Sequence, residues 1–303
     1  MARVSAAVPE AARRRLDHVL AGRARSSLES MSGTAGLEAA GFDPVTEVMG
    51  CVVLHLGFAA PMCGYYGGGG VGGMVANSRT VVSGNDRMGQ VPGGRAVDGA
   101  WSTALARLLA EVAAVDADGV VGITRTRRRL PGSVSDEEFV LLGTAVRARS
   151  ATRPRTPFAT DLSGAHFSAL LRGGWIPAGF AIRVTQGIRH DDWATQSTMQ
   201  RFTANAEVVG LTDLVTRTRD DARRGFTARM AKLGGEAAVV SSVGLRTWAS
   251  EVAEGHRDHL AEATVTGTAL VAFDRDAPAR IGALLTILPL HGNAGERRGG
   301  RRR

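Results

Sequence analysis

Cysteine is nearly absent from this chain of 303 residues, with only Cys51 and Cys63 present. They are too far apart to form a CxxC pair, so neither a zinc knuckle nor a thioredoxin-like motif is available. So sparing a use of cysteine fits a reducing compartment. Lysine is scarcer still: among 37 Lys and Arg residues, Lys232 is the single lysine. Beside abundant Ala and Gly, this bias marks a GC-rich coding sequence rather than selection for phosphate-binding forks. Long apolar runs are missing too. The most apolar stretch, Val48 to Cys63, contains His55, Gly50, Gly57 and Pro61 and is too short to span a bilayer. At the N-terminus Arg13-Arg14-Arg15 is followed by Leu16-Asp17-His18 and not by the apolar core of a signal peptide. These absences predict a cytoplasmic protein without a transmembrane segment. GxSxG, HExxH and GK[ST] are also missing, which removes local signatures of an esterase, a zincin or a P-loop enzyme. A triad assembled across the fold is not removed by that test.

The formal net charge of +8 suggests nucleic acid, but its distribution argues otherwise. Residues 1–30 carry six Arg against three acids, and residues 289–303 carry five Arg against one. The remainder of the chain holds 26 basic and 25 acidic side chains. The body is therefore nearly neutral and lacks the basic stripe that a phosphate backbone needs, so no specific nucleic-acid partner is expected.

What is present is a duplication. Leu37, Gly41, Phe42 and Pro44 recur without gaps as Leu170, Gly174, Trp175 and Pro177. Further on, Ala-Asp-Gly-Val-Val at 117–121 corresponds to Gly-Glu-Ala-Ala-Val at 235–239, and Gly-Thr-Ala at 143–145 to Gly-Thr-Ala at 267–269. Each copy reads as a short helix stopped by glycine, a strand (45–58 and 178–188) and a long helix (100–115 and 211–233). Two strands joined by a polar connection follow (119–126 and 138–148; 237–246 and 262–273). Antiparallel pairing is the economical topology. The class is α+β: two tandem copies of a small antiparallel sheet, each packed with one main helix. A basic helix is expected over 9–29, within an N-terminal segment 1–29. The first copy covers 30–149, residues 150–156 link, and the second covers 157–290 with an extra strand at 283–290. The Arg/Gly-rich end, 291–303, reads as disordered. Asp161 or Ser163 is the expected N-cap of the second copy's short helix. Between Ala59 and Gly99 the chain reads as a glycine-rich loop. Its Gly68, Gly70 and Gly73 match GxGxxG only through the density of glycine.

The segments GFDPVTEVMG and GWIPAGFAIR, the runs DADGVVGI and GGEAAVVSS after each long helix, and the closing LLGTAV and VTGTAL resemble the YbjQ-like family, whose members are often labelled heavy-metal-binding domains. The resemblance covers roughly 30–149 and 157–273. It implies a small antiparallel sheet with one main helix and ring-like homo-oligomers, and it implies no established activity.

Candidate ligands for a divalent, zinc-like ion lie in the second copy. His190, Asp191 and Asp192 follow its first strand, and His256, Asp258 and His259 precede its last; Glu262 could join them. Imidazole with carboxylate suits such an ion. The bland alternative is that both are polar loops, with Trp193 covering the core. In the first copy His55 lies near its strand end, while Ser135 to Glu138 replace the second cluster. The sequence therefore predicts a non-enzymatic binding and assembly protein of tandem YbjQ-like domains that holds a divalent metal. The alternatives are a purely structural homo-oligomer without metal and a hydrolase with an inter-domain site.

Overall fold

The computed structural model describes residues 9–21, 26–56, 81–82, 92–133, 135–151, 153–190, 193–200, 205–253, 256–273 and 287–289. In chain order the elements are α1 (Glu10–Leu20), α2 (Met31–Ala39), β1 (Phe42–His55), β2 (Val81–Val82), α3 (Pro92–Ala114), β3 (Gly119–Arg129) and β4 (Asp136–Ala148). The second half contributes β5 (Phe158–Ala159), α4 (Gly164–Arg172), β6 (Trp175–His190), α5 (Trp193–Met199), α6 (Val209–Lys232), β7 (Ala237–Ala253), β8 (His256–Ala272) and β9 (Ile287–Pro289). The class is α+β, with the duplication written into the backbone. Gly41 and Gly174 follow α2 and α4 with φ of 81° and 79°, a left-handed conformation that glycine adopts at no steric cost. The N-cap of α4 is Ser163.

Register repeats the duplication residue by residue. β1 lies antiparallel to β4 with Thr46 opposite Ala145 and Val48 opposite Gly143. β6 lies antiparallel to β8 with Gly179 opposite Ala269 and Ala181 opposite Gly267. Both first strands slip register just after their proline, at Pro44/Thr46 and Pro177/Gly179. The Gly-Thr-Ala motifs thus occupy equivalent rungs of two ladders.

The sheets run β1-β4-β3-β5 and β2-β6-β8-β7-β9. β2 belongs to the first half of the chain yet pairs with β6, and β5 belongs to the second half yet runs parallel to β3. The copies are therefore interlocked and not strung apart. Helix α3 lies between them. Its Trp101, Ala104 and Leu108 share one apolar cluster with Val48 of β1 and with Phe180, Ile182 and Val184 of β6.

Several boundaries differ from the sequence expectation. The first helix stops at Leu20, and Ser26 to Ser30 are not helical; Ser30 instead caps α2 by accepting from the Gly33 N–H at 3.1 Å. Helix α1 is anchored, because Leu16 is buried and Arg15 pairs with Glu111 of α3. The long helix α3 begins at Pro92, inside the expected loop. The apolar stripe runs back to the fully buried Val97, and proline suits a first helical turn. Gly68, Gly70, Gly73 and Cys63 lie outside the described residues. The extra C-terminal strand exists, and β9 pairs with β7 over Ala237–Val239. Helix α5 was not anticipated. No helix among the described residues is long and apolar enough to cross a membrane.

Candidate functional site

The segment read as a polar loop, His256 to His259, is the beginning of β8. This is the main correction at the site, and its reason is geometric. Successive side chains of a strand leave opposite faces, so Asp258 and His259 cannot converge on one ion. Asp258 lies opposite His190, and His259 lies opposite Arg189. His190 and Asp258 do meet, with Nδ1 and Oδ1 2.8 Å apart. Asp191, Asp192 and the side chains of His256 and Trp193 lie outside the described residues. Glu262 is committed elsewhere, to Arg127, Gln186 and Arg246. Among the described residues no three His, Cys, Asp or Glu side chains gather as a metal site would require. The donor set among the described residues, one imidazole beside one carboxylate, does not by itself meet the tetrahedral demand of zinc.

The first copy closes its sheet in the same manner. His55 faces Asp136 across β1 and β4, with Nδ1 2.6 Å from Oδ1. The His55 bond, then that from Ser133, holds the Asp136 carboxyl below its ordinary range. By sequence, Asp136 stands where the first copy lacks the second copy's cluster. In the fold it is the partner of a His–Asp clasp that ends each sheet. Burial and then Glu138 push the Cys51 thiol up, which disfavours its thiolate form.

Charges converge instead where the two copies meet. Arg127 on β3 donates from Nε to Glu137 at 2.5 Å and from Nη1 to Glu262 on β8 at 2.7 Å. Gln186 of β6 donates to the other oxygen of Glu262, also at 2.7 Å. Arg246 of β7 stands 3.5 Å from Glu262 and stacks over Trp248. The Arg127 guanidinium lies 5.2 Å from the centre of the Phe139 ring. A second junction centres on Asp98 of α3. It accepts from Arg183 and from the Val184 N–H, both at 3.0 Å, and from Arg229 of α6. Neither junction is marked by a sequence motif. The alternation of Arg125, Arg127 and Arg129 along a strand was the one legible signal, since period two puts them on one face.

A third contact carries a pH prediction. Thr268, in the second Gly-Thr-Ala, donates to Asp161 Oδ1 at 2.7 Å and meets Thr160 Oγ1 at 2.9 Å. Burial pushes the Asp161 carboxyl up, against the pull of Ser241, Thr268 and Arg125. A carboxyl whose folded pKa is raised contributes stability below its unfolded pKa and loses it as pH rises through the folded value. Asp161→Asn keeps the acceptor for Thr268 and removes the charge. Its melting temperature is expected to exceed that of the parent at neutral pH and to match it near pH 4, about the ordinary Asp pKa. Thermal melts at the two pH values decide the matter, and an equal difference at both would mean that Asp161 carries no such burden.

No family model matches the chain, and no solved structure matches it. A search of curated proteins finds a Mycobacterium tuberculosis protein named as an encapsulin nanocompartment protein, 31% identical over 183 residues. The match covers 59% of this chain and 61% of that protein. This finding overturns the expectation of a metal-binding protein of YbjQ-like domains. The relative is named for a nanocompartment, and β8 sends Asp258 and His259 to opposite faces.

Proposed function

We propose that the chain is a structural subunit that associates with further copies of itself and needs no metal to do so. The observation that carries this reading is its 31% identity to a protein named for an encapsulin nanocompartment, a compartment being an assembly of many chains. A cytoplasmic location fits this reading and the near absence of cysteine.

The treatment of strand edges supports it. An unpaired edge presents a row of backbone donors and acceptors to any second chain. Two long edges are guarded from within at equivalent positions. In β1 the Met49 N–H donates to Glu111 at 2.8 Å, and Arg107 donates to the Cys51 carbonyl at 2.6 Å, both from α3. In β6 the Ile182 carbonyl accepts from Arg229 and the Val184 N–H donates to Asp98. The outer edge of β7 is treated differently. Among the described residues β9 pairs with it only from Ala237 to Val239, and no strand covers the rest. Val243, just beyond, is 53% exposed. Pairing of this edge with a second copy would add backbone bonds and cover that side chain.

Sedimentation velocity of the purified full chain tests the proposal. The parent is expected to sediment as a discrete multimer. Val243→Lys together with Thr247→Lys, which place charge on the open edge, should shift it toward monomer with unchanged circular dichroism. A parent that sediments as a monomer at all concentrations would end this reading. A multimer indifferent to the two lysines would place the contact elsewhere on the surface.

A further inference from the structure

We propose that the cleft between the β3–β4 and β7–β8 faces is a binding site for a small, multiply charged oxyanion. The cleft has a volume of about 380 Å³, and Arg125, Arg127, Arg129, Arg246, Glu137 and Glu262 are among its walls. It lies where Arg127 of β3 reaches across to Glu262 of β8. The inference does not depend on self-association.

Both acids of the cleft are already bonded to Arg127. Arg128, also on the rim, pairs with Glu138 at 2.5 Å. Arg246 shares Glu262 at the long separation of 3.5 Å. Arg125 and Arg129 are left without a carboxylate among the described residues. Arg125 donates only to the Ser242 hydroxyl, at 3.0 Å, and its nearest acids, Asp161 and Glu262, act on it only through space. With Arg128 neutralised by Glu138, the cleft therefore holds two more positive than negative charges, and the surplus lies on the guanidinium groups of Arg125, Arg129 and Arg246. Other surface cations sit beside an acid, as Arg217 does beside Asp213 and Arg149 beside Asp43. Guanidinium forks bind the paired oxygens of phosphoryl and carboxylate groups in two-point fashion. Two forks from one strand, with Arg246 opposite, suit an anion with several charged oxygens better than a monovalent one.

Such oxygens come from phosphoryl groups or from a polycarboxylate, and two probes separate these sources. Pyrophosphate and citrate are titrated by calorimetry into the full-length protein in a buffer without phosphate. Binding of at least one of them at one site per chain, weakened by added salt, is expected. Arg125→Gln with Arg129→Gln should weaken it by about tenfold or more, since charge-assisted bonds are lost at each position. These substitutions break no ion pair of the fold, so the melting temperature should hold and the loss reads as binding. Arg219→Gln, on the exposed face of α6, should leave affinity unchanged. Binding of pyrophosphate alone assigns the site to phosphoryl compounds, and binding of citrate alone to polycarboxylates. The proposal is overturned if neither probe binds, or if Arg219→Gln weakens binding as much as the double substitution.

Discussion

Replacing Arg127 by Met is expected to destabilise the protein by about 3–5 kcal/mol, the usual penalty for stranding a buried charge. The side chains of Arg127, Glu137 and Glu262 are 15%, 11% and 6% exposed. Burial alone would lower the Arg127 pKa, but Glu262 and Glu137 outweigh it and the group stays more firmly charged than usual. Removing it leaves Glu137 without its buried cation and Glu262 with Gln186 and the more exposed Arg246. The contact of the guanidinium with Phe139 is lost as well. Equilibrium urea denaturation measures the effect. The deficit should shrink when Arg127→Met is combined with Glu137→Leu and Glu262→Leu, since an apolar replacement of a whole buried network is often neutral. If the single substitution cost under about 1 kcal/mol, in the range of exposed pairs, the two sheets would not be held by this network.

The parts of this architecture that could be read from sequence are those set by local chemistry. Gly41 and Gly174 must end helices, Pro44 and Pro177 must disturb a ladder, and the apolar stripe of α3 must face a sheet. The duplication follows from their order. The interlocking could not be read. β2 and β5 are two residues long, too short for any periodic pattern, and what places them is pairing with the other copy. The loop reading of His256 to His259 failed for a related reason. His, Arg and Asp are poor strand residues, so His256 to His259 looked like a loop. Asp258 and Glu262 tolerate a buried face only because His190 and Arg127 await them there. A partner supplied from the other half of the chain leaves no mark near the residue it rescues. The pairing of His190 with Asp258, by contrast, joined two residues that sequence reasoning had singled out, because both lie at strand ends that the repeat had located.

Gly50→Ala is expected to be the most damaging single-methyl change in the protein, costing about 3 kcal/mol or more, at or beyond the upper end of the usual overpacking range. A Cβ at Gly50 would overlap the carbonyl oxygen of Ala104 outright and stand 2.7 Å from the Leu108 nitrogen. These are backbone atoms of α3 and no rotamer change relieves them. Nor can the helix retreat, because Ala104 and Leu108 are fully buried and its far side is tied to β6 through Asp98. The second copy makes the same helix-on-strand contact with the sizes reversed. Arg183 occupies the strand position equivalent to Gly50, and Gly225 of α6 faces it, its missing Cβ 2.5 Å from the Arg183 Nε. In the first copy the helix position equivalent to Gly225 is Arg107, which reaches over to the Cys51 carbonyl. Each interface thus pairs one glycine with one arginine, placed on opposite partners. Gly225→Ala meets a side chain and should cost less than Gly50→Ala, which meets main chain. Gly99→Ala supplies the control. It lies on α3 with nothing within 4 Å of its added carbon, and alanine there should stabilise by about 0.5–1 kcal/mol through helix propensity. Urea denaturation of the three variants gives the order directly. If Gly50→Ala proved as mild as Gly99→Ala, α3 would not lie on β1 at the distance described, and the shared core that joins the two copies would need a different packing.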